Sequence, residues 1–372
     1  MRGSSDGVIS QFLCCTGRVK RASPLKEGAG IFPFECGSMI SVVSMNDRSA
    51  QIFLSSVGGY LSIVTEDRVL LFESIFGETQ AKDRFSLIRK FNVPAEFKRF
   101  ARFCQVFAEL QTSNLRVVLI CEKSEDYPVL CSFEKADQTP RCFPFPAGSR
   151  GVVQACRLPG NTTVTSAIAT SDGSIHFWNA TSLHSSIMMY ESNGISAMTA
   201  DSLYLFIASP IEISIQSIPS ISIASQIVAR IPIEVSNINR LIRPFSKTST
   251  GLVGSIIFSA PGSLGSISVD TGKVKSEVLS NEMITDICFG PFDNGPVMTI
   301  TNRDRIIAWE SGPNLRIASE SECTNIRAIT VSTSRQHPRI IVASWNGISK
   351  CLELKSFGLR TRQPDAIRER CI

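Results

Sequence analysis

Residues 169–182 read ATSDGSIHFWNATS, and the fold depends on whether this stretch stands alone or repeats. The Asp172–Gly173 pair marks a tight hairpin turn, because glycine takes positive φ freely and aspartate tolerates it. Ahead of it, VTSAIAT (164–170) reads as a strand, and behind it SIHFWNA (174–180) reads as another. On the second strand Ile175 and Phe177 share one face, while His176 and Trp178 share the other. Both faces carry bulk, which places the strand between two layers.

The pattern recurs along the chain. It appears as QIFLSSVGGYLSIVT at 51–65, RVVLICEKSEDYPVLCSFE at 116–134, LYLFIASPIEISIQ at 203–216 and VGSIIFSAPGSLGSISV at 253–269. It appears again as PVMTITNRDRIIAWE at 296–310 and RIIVASWNGISKCLEL at 339–354. That makes seven hairpins at intervals of roughly 35–70 residues, mostly near 45. Most follow a further short strand, such as MISVVSM (39–45), FCQVFAEL (103–110), GVVQACRL (151–158) or IRAITVS (326–332). A unit of three or four strands over about 45 residues is the signature of a propeller blade, which buries both faces only when stacked in a ring.

Three of these hairpins resemble the WD40 repeat. SDGSIHFWN (171–179) is similar to the family's turn and third strand, with its Asp-Gly and terminal Trp178. NRDRIIAWE (302–310) has Trp309 in that place but no turn glycine, and SWNGISKCLEL (344–354) keeps the turn with Leu352 in place of the tryptophan. Val64, Phe133 or Ile215 stands near that position elsewhere, and no Gly-His dipeptide occurs. The family's His–Asp–Ser/Thr–Trp hydrogen-bond network therefore cannot take its usual form. The resemblance implies an all-β, seven-bladed WD40-like propeller over 31–356. It would be flanked by an N-terminal segment, 1–30, and a basic tail, 357–372. Closure by a strand from the other terminus, as in that family, points to VISQFLCC (8–15) beside the last blade. Two all-β domains split near residue 150 are the rival reading, and the even recurrence of hairpins across that point argues against them.

One interval is too long. The excess lies at about 74–100, read as an inter-blade insertion, within SIFGETQAKDRFSLIRKFNVPAEFKRFARF (74–103). Arg84, Arg89, Lys90, Lys98, Arg99 and Arg102 interleave there with Phe85, Phe91, Phe97, Phe100 and Phe103. Over 95–110, Phe97, Phe100, Phe103, Phe107 and Leu110 fall on helical spacing behind Pro94. The segment reads as a decorated loop packed on the ring, as a docking site for a protein, or as a grip on single-stranded nucleic acid by phosphate contact and base stacking. The candidate partner-binding residues are Arg84, Arg89, Lys90, Phe91, Phe97, Lys98, Arg99 and Arg102.

The bulk properties fit this picture. Apolar residues make up 43% of the 372 and charged residues only 19%, below the roughly 25% of an average soluble protein. The formal charge of +5 permits nucleic acid without requiring it. The twelve cysteines are scattered with no C-x-x-C, which reads as reduced thiols in the cytoplasm or nucleus. The N-terminus lacks the apolar core of a signal peptide, and no run of about 18 apolar residues predicts a membrane span.

No catalytic signature stands out. The three histidines, His176, His184 and His337, form no H-E-x-x-H, and neither a P-loop nor G-x-S-x-G occurs. His176 reads as a packed blade residue. These observations predict a non-catalytic scaffold subunit with protein partners and no cofactor, metal or small-molecule substrate. Two alternatives are a nucleic-acid-associated module of a ribonucleoprotein or chromatin complex, and an enzyme with titratable groups gathered in the central channel.

Overall fold

The computed structural model describes residues 39–44, 53–57, 60–65, 68–76, 83–94, 96–109, 114–123, 128–134, 139–158, 164–188, 194–220, 224–235, 237–243, 254–279, 281–289, 297–310, 315–331, 339–346, 348 and 351–358. Every helix or strand among them is a strand, and the strands form seven antiparallel sheets of four. No helix among the described residues is long and apolar enough to cross a membrane.

The first strand, β1 (Met39–Ser44), stands apart from those that follow it. Blade one is β2 (Phe53–Val57), β3 (Tyr60–Val64), β4 (Arg68–Ile75) and β5 (Arg84–Asn92). Blade two is β6 (Phe97–Glu109), β7 (Asn114–Lys123), β8 (Pro128–Phe133) and β9 (Arg141–Pro144). Blade three is β10 (Val152–Arg157), β11 (Ser166–Thr170), β12 (Ser174–Asn179) and β13 (Ser182–Met188). Blade four is β14 (Ala197–Ala200), β15 (Tyr204–Ala208), β16 (Glu212–Ser217) and β17 (Ile227–Pro232). Blade five is β18 (Arg240–Ile242), β19 (Ser255–Ala260), β20 (Ser263–Ser268) and β21 (Val274–Val278). Blade six is β22 (Ile284–Phe289), β23 (Val297–Thr301), β24 (Arg305–Glu310) and β25 (Arg316–Glu322). Blade seven takes β26 (Ile326–Val331), β27 (Arg339–Asn346) and β28 (Cys351–Gly358), and its fourth strand is β1.

The first strands of successive blades touch one another, and β26 returns to touch β2, so the sheets close into a ring. The middle strands are buried on both faces, as SAIAT of β11 and PVLCSF of β8 show, whereas VKSEV of β21 is exposed throughout. The apolar core lies between blades. One cluster joins Leu71 and Phe91 of blade one to Val117 and Phe133 of blade two, and another joins Leu61 and Ile63 to Ile341 and Leu354 of blade seven. Each remaining pair of neighbours shares a cluster of the same kind.

The opening hairpin folds as a three-residue turn, 171–173, in which Gly173 alone takes positive φ, at 85°. The Gly173 amide donates to the Thr170 carbonyl at 3.0 Å. Blade six builds the same turn from 302–304, with Asp304 at φ 58° in the glycine's place, which explains how that hairpin manages without one. In both blades the tryptophan is the fifth residue of its strand and sits at a register shift. The same shift occurs at Phe72 in blade one and Gln216 in blade four. Those residues, rather than Val64 and Ile215, hold the tryptophan position there.

Several sequence readings need revision. Residues 8–15 lie outside the described residues, and the strand that closes the ring is β1, paired with β28 from Met39↔Lys355 to Ser44↔Cys351. Sequence order attaches MISVVSM (39–45) to the first hairpin, because its small-apolar alternation does not reveal which sheet it joins. The hairpin at 51–65 is accordingly β2–β3, one strand earlier than the β3–β4 hairpin that matches the other blades. The length ascribed to an insertion holds β5 and the start of β6. The helical spacing over 95–110 also has another origin. Register shifts between Phe97 and Arg99, and between Phe100 and Cys104, interrupt the two-residue alternation of β6 and leave its phenylalanines three apart.

A buried ion pair reinforces the closure. Asp83, just ahead of β5, accepts Arg339 Nε at 2.8 Å and Nη2 at 3.2 Å, and Ser356 Oγ at 2.9 Å. Arg339 and Ser356 belong to blade seven, so the contact joins the chain's first complete blade to its last. Removing one partner leaves the other charge buried and uncompensated. Asp83→Asn or Arg339→Met is expected to lower the unfolding free energy by about 3–5 kcal/mol. In urea unfolding, the double variant should lose less than the two single losses added together.

Candidate partner-binding site

The candidate residues divide between two places. Arg84, Arg89, Lys90 and Phe91 lie on β5, the outermost strand of blade one. Phe97, Lys98, Arg99 and Arg102 lie on β6, the inner strand of blade two, with Arg102 inside its irregular stretch. The ring therefore separates them into a rim group and an axial group.

On β5 the side chains part further. Phe91 is buried against Phe133, with ring centroids 5.7 Å apart, and Phe97 is buried in the same cluster. Arg89 Nη1 donates to the Glu134 carbonyl at 2.6 Å, fastening blade one to blade two. Arg84 and Lys90 are exposed. Between them Leu87 is 54% exposed and Ile88 38%, and Ile75 of the neighbouring strand is 53% exposed. Ile88 has no register partner because the ladder passes from Leu71↔Arg89 to Phe72↔Leu87. A bulge flanked by cations blunts an edge against strand addition. What the rim offers is therefore a side-chain patch, apolar at its centre and basic at its ends.

Exposed aliphatics are not confined to blade one. Leu183 and Met188 on β13, Ile227 and Val228 on β17, Val274 and Val278 on β21 and Ile317 on β25 are all exposed at the rim. A cleft of about 680 Å³ opens between blades three and four. Ile187, Met188 and Ile227 form its apolar walls, and Asp172, Glu212 and Arg230 bring charge. Arg230 and Glu212 pair across 3.6 Å within blade four. Sequence reading did not find this cleft, because it arises from the way two blades abut and leaves no local motif.

A second opening, of about 460 Å³, lies on the inner strands of blades three to six, lined by Gln154, Ser196, Asn239, Arg240 and Thr285 among others. Gln154 donates to the Ser196 carbonyl at 3.1 Å, and Ser259 Oγ donates to Asn239 at 2.6 Å. The lining holds one charged side chain, Arg240, and a guanidinium cannot exchange protons near neutral pH. Among the described residues, no group of three or more His, Cys, Asp or Glu is placed to hold a metal ion.

His176 has polar partners on both ring nitrogens. Nε2 lies 3.1 Å from both Ser149 Oγ and Thr170 Oγ1, and Nδ1 lies 2.8 Å from Ser186 Oγ. The ring of Phe145 stands edge-on at 5.2 Å. Ser149 and His176 have a nucleophile and base's spacing, but they are only 4% and 2% exposed, which no substrate can reach. The group is a core network. The connection into blade three supplies Ser149, strands β11 and β13 supply Thr170 and Ser186, and β12 supplies the imidazole. Trp178 Nε1 has no hydrogen-bond partner among the described residues, whereas Trp309 Nε1 donates to Thr299 at 2.9 Å. Ile168 holds the corresponding place in blade three, two residues from the tryptophan's register partner.

These features decide the fold. It is a seven-bladed β-propeller. No family model matches the chain, and no curated protein matches its sequence. Among solved structures, a chain of the mitotic checkpoint complex aligns with a TM-score of 0.58 at 12% identity, over 91% of this chain and 100% of that one. Sqt1 from Chaetomium thermophilum aligns with a TM-score of 0.55 at 11% identity, over 83% of each chain. Identities this low speak for the propeller fold alone.

Burial pushes the His176 imidazole below its ordinary value, with the Asp172 carboxylate pulling the other way. A folded-state value below the unfolded one makes protonation favour unfolding. This contribution to stability is constant above the ordinary value of about 6.5 and declines as pH falls below it. The melting temperature is expected to drop between pH 7 and pH 5 more steeply for the native chain than for His176→Gln, as followed by thermal unfolding across buffers.

Proposed function

We propose that this propeller is a non-catalytic adaptor subunit of a multiprotein assembly in the cytoplasm or nucleus, binding partner proteins through its faces and through the segment 74–103, chiefly its rim strand β5. The observation that carries the reading is the exposed aliphatic surface on the outer strands, centred on Leu87 and Ile88 between Arg84 and Lys90. Exposed apolar groups gathered on a rigid frame favour removal from water by a partner, and flanking cations select a partner surface with acidic residues. The proteins of similar fold support the same reading, since one of them is a component of the mitotic checkpoint complex.

The nucleic-acid alternative draws less support. Phe91 and Phe97 are packed in the core, so they offer no platform on which bases could stack. Arg89 is engaged with the Glu134 carbonyl.

Tagged native purification, with and without nuclease, separates the two readings. A fixed set of proteins should survive nuclease and be lost from a variant carrying Arg84→Ser, Leu87→Ser, Ile88→Ser and Lys90→Ser. These side chains lie on the surface, so the variant should keep its melting temperature. Loss of the co-purifying proteins on nuclease treatment would overturn the proposal, and their full retention by the variant would remove the rim from it.

A further inference from the structure

The sequence shows no C-x-x-C, but the sheet of blade two brings two distant cysteines together. Cys131 on β8 and Cys142 on β9 are direct register partners. Directly opposed residues of an antiparallel pair have Cα atoms about 4.5–5.5 Å apart, within the roughly 4.4–6.8 Å spanned by disulfides. Their side chains also meet, with the two sulfurs 3.8 Å apart. We propose that Cys131 and Cys142 form a reversible disulfide, a redox modification site on the outer edge of blade two.

The two thiols have complementary settings. Cys142 is exposed on a four-residue outer strand, whereas Cys131 is wholly buried. An oxidant in water therefore reaches Cys142 first. With a peroxide, the Cys142 thiolate attacks one oxygen and the O–O bond breaks, giving a sulfenic acid and one molecule of water or alcohol. The Cys131 thiol then attacks the Cys142 sulfur. The S–O bond breaks, hydroxide takes up the Cys131 proton and leaves as water, and the S–S bond forms. Both cysteines are oxidised and the peroxide is reduced. A dithiol reductant restores the pair by exchange.

Among the described residues, two further cysteines have a different setting. Burial pushes the Cys156 thiol up to about 12 and raises that of Cys288 as well, which keeps both protonated and unreactive. The consequence of oxidation is local. The bond would tie β9 to β8, whose chain leads directly to Glu134, the residue that receives Arg89 of blade one. The modification thus sits beside the junction of blades one and two.

Lys135 and Arg141 lie between the two cysteines, so trypsin places them on separate peptides. The full chain is treated with hydrogen peroxide, its remaining thiols are alkylated under denaturing conditions, and the digest is read by mass spectrometry with and without a dithiol. The expected result is one linked pair of peptides, 124–135 with 142–150, and loss of two alkylatable thiols that the reductant returns. Amide exchange at Cys142 and Phe143 should slow about tenfold in the oxidised chain as the edge strand is pinned. Cys131→Ala, which keeps the site apolar, should stop at an irreversibly oxidised or trappable Cys142, and Cys142→Ser should leave Cys131 fully alkylatable. Cys142 linked to another cysteine or another molecule, or Cys131 fully alkylatable in the oxidised native chain, would overturn the proposal.

Discussion

No blade of this protein can bury its own apolar faces. Each hydrophobic cluster spans two neighbouring sheets. A sheet buried on both sides by its neighbours is stable only if the series of neighbours returns to its start. Ring closure is therefore the constraint on which the other features depend. The chain meets it twice at the junction of its ends. Strand β1 completes the sheet of blade seven before the chain enters blade one, and Asp83 reaches from blade one to Arg339 and Ser356.

The same constraint shapes where function can sit. Closure uses up both faces of every sheet, leaving the outer strands, the turns and the clefts between blades as the surfaces available for contact. The rim of blade one has an apolar centre, cationic ends and a bulge that discourages strand pairing. That combination suits recognition by side chains. Rigid interior and variable rim are also how a common fold acquires particular partners.

The sequence conveyed the architecture better than the site. Both-face bulk at Ile175, His176, Phe177 and Trp178 was legible because strand alternation is local. The assignment of β1 was not, since nothing in MISVVS records a partner more than 300 residues away. Bulges misled in a specific way: two irregularities in β6 turned a strand's alternation into apparent helical spacing. The basic cluster at 84–102 looked continuous in sequence, yet the chain crosses from the rim to the axis between Asn92 and Phe97, dividing it. The Cys131–Cys142 contact was hidden because register, set by the length of the connection, pairs residues that no spacing motif singles out.

Closure as the source of global stability is tested most directly by hydrogen exchange on a chain with Ser41→Pro in β1. Proline at this position restricts the strand backbone opposite Glu353 and disturbs its pairing with β28. If closure holds the ring together, protection should fall in the middle strands of all blades, including β11 and β12 on the far side. Loss of protection confined to β27 and β28, with blades two to six unchanged, would contradict the account.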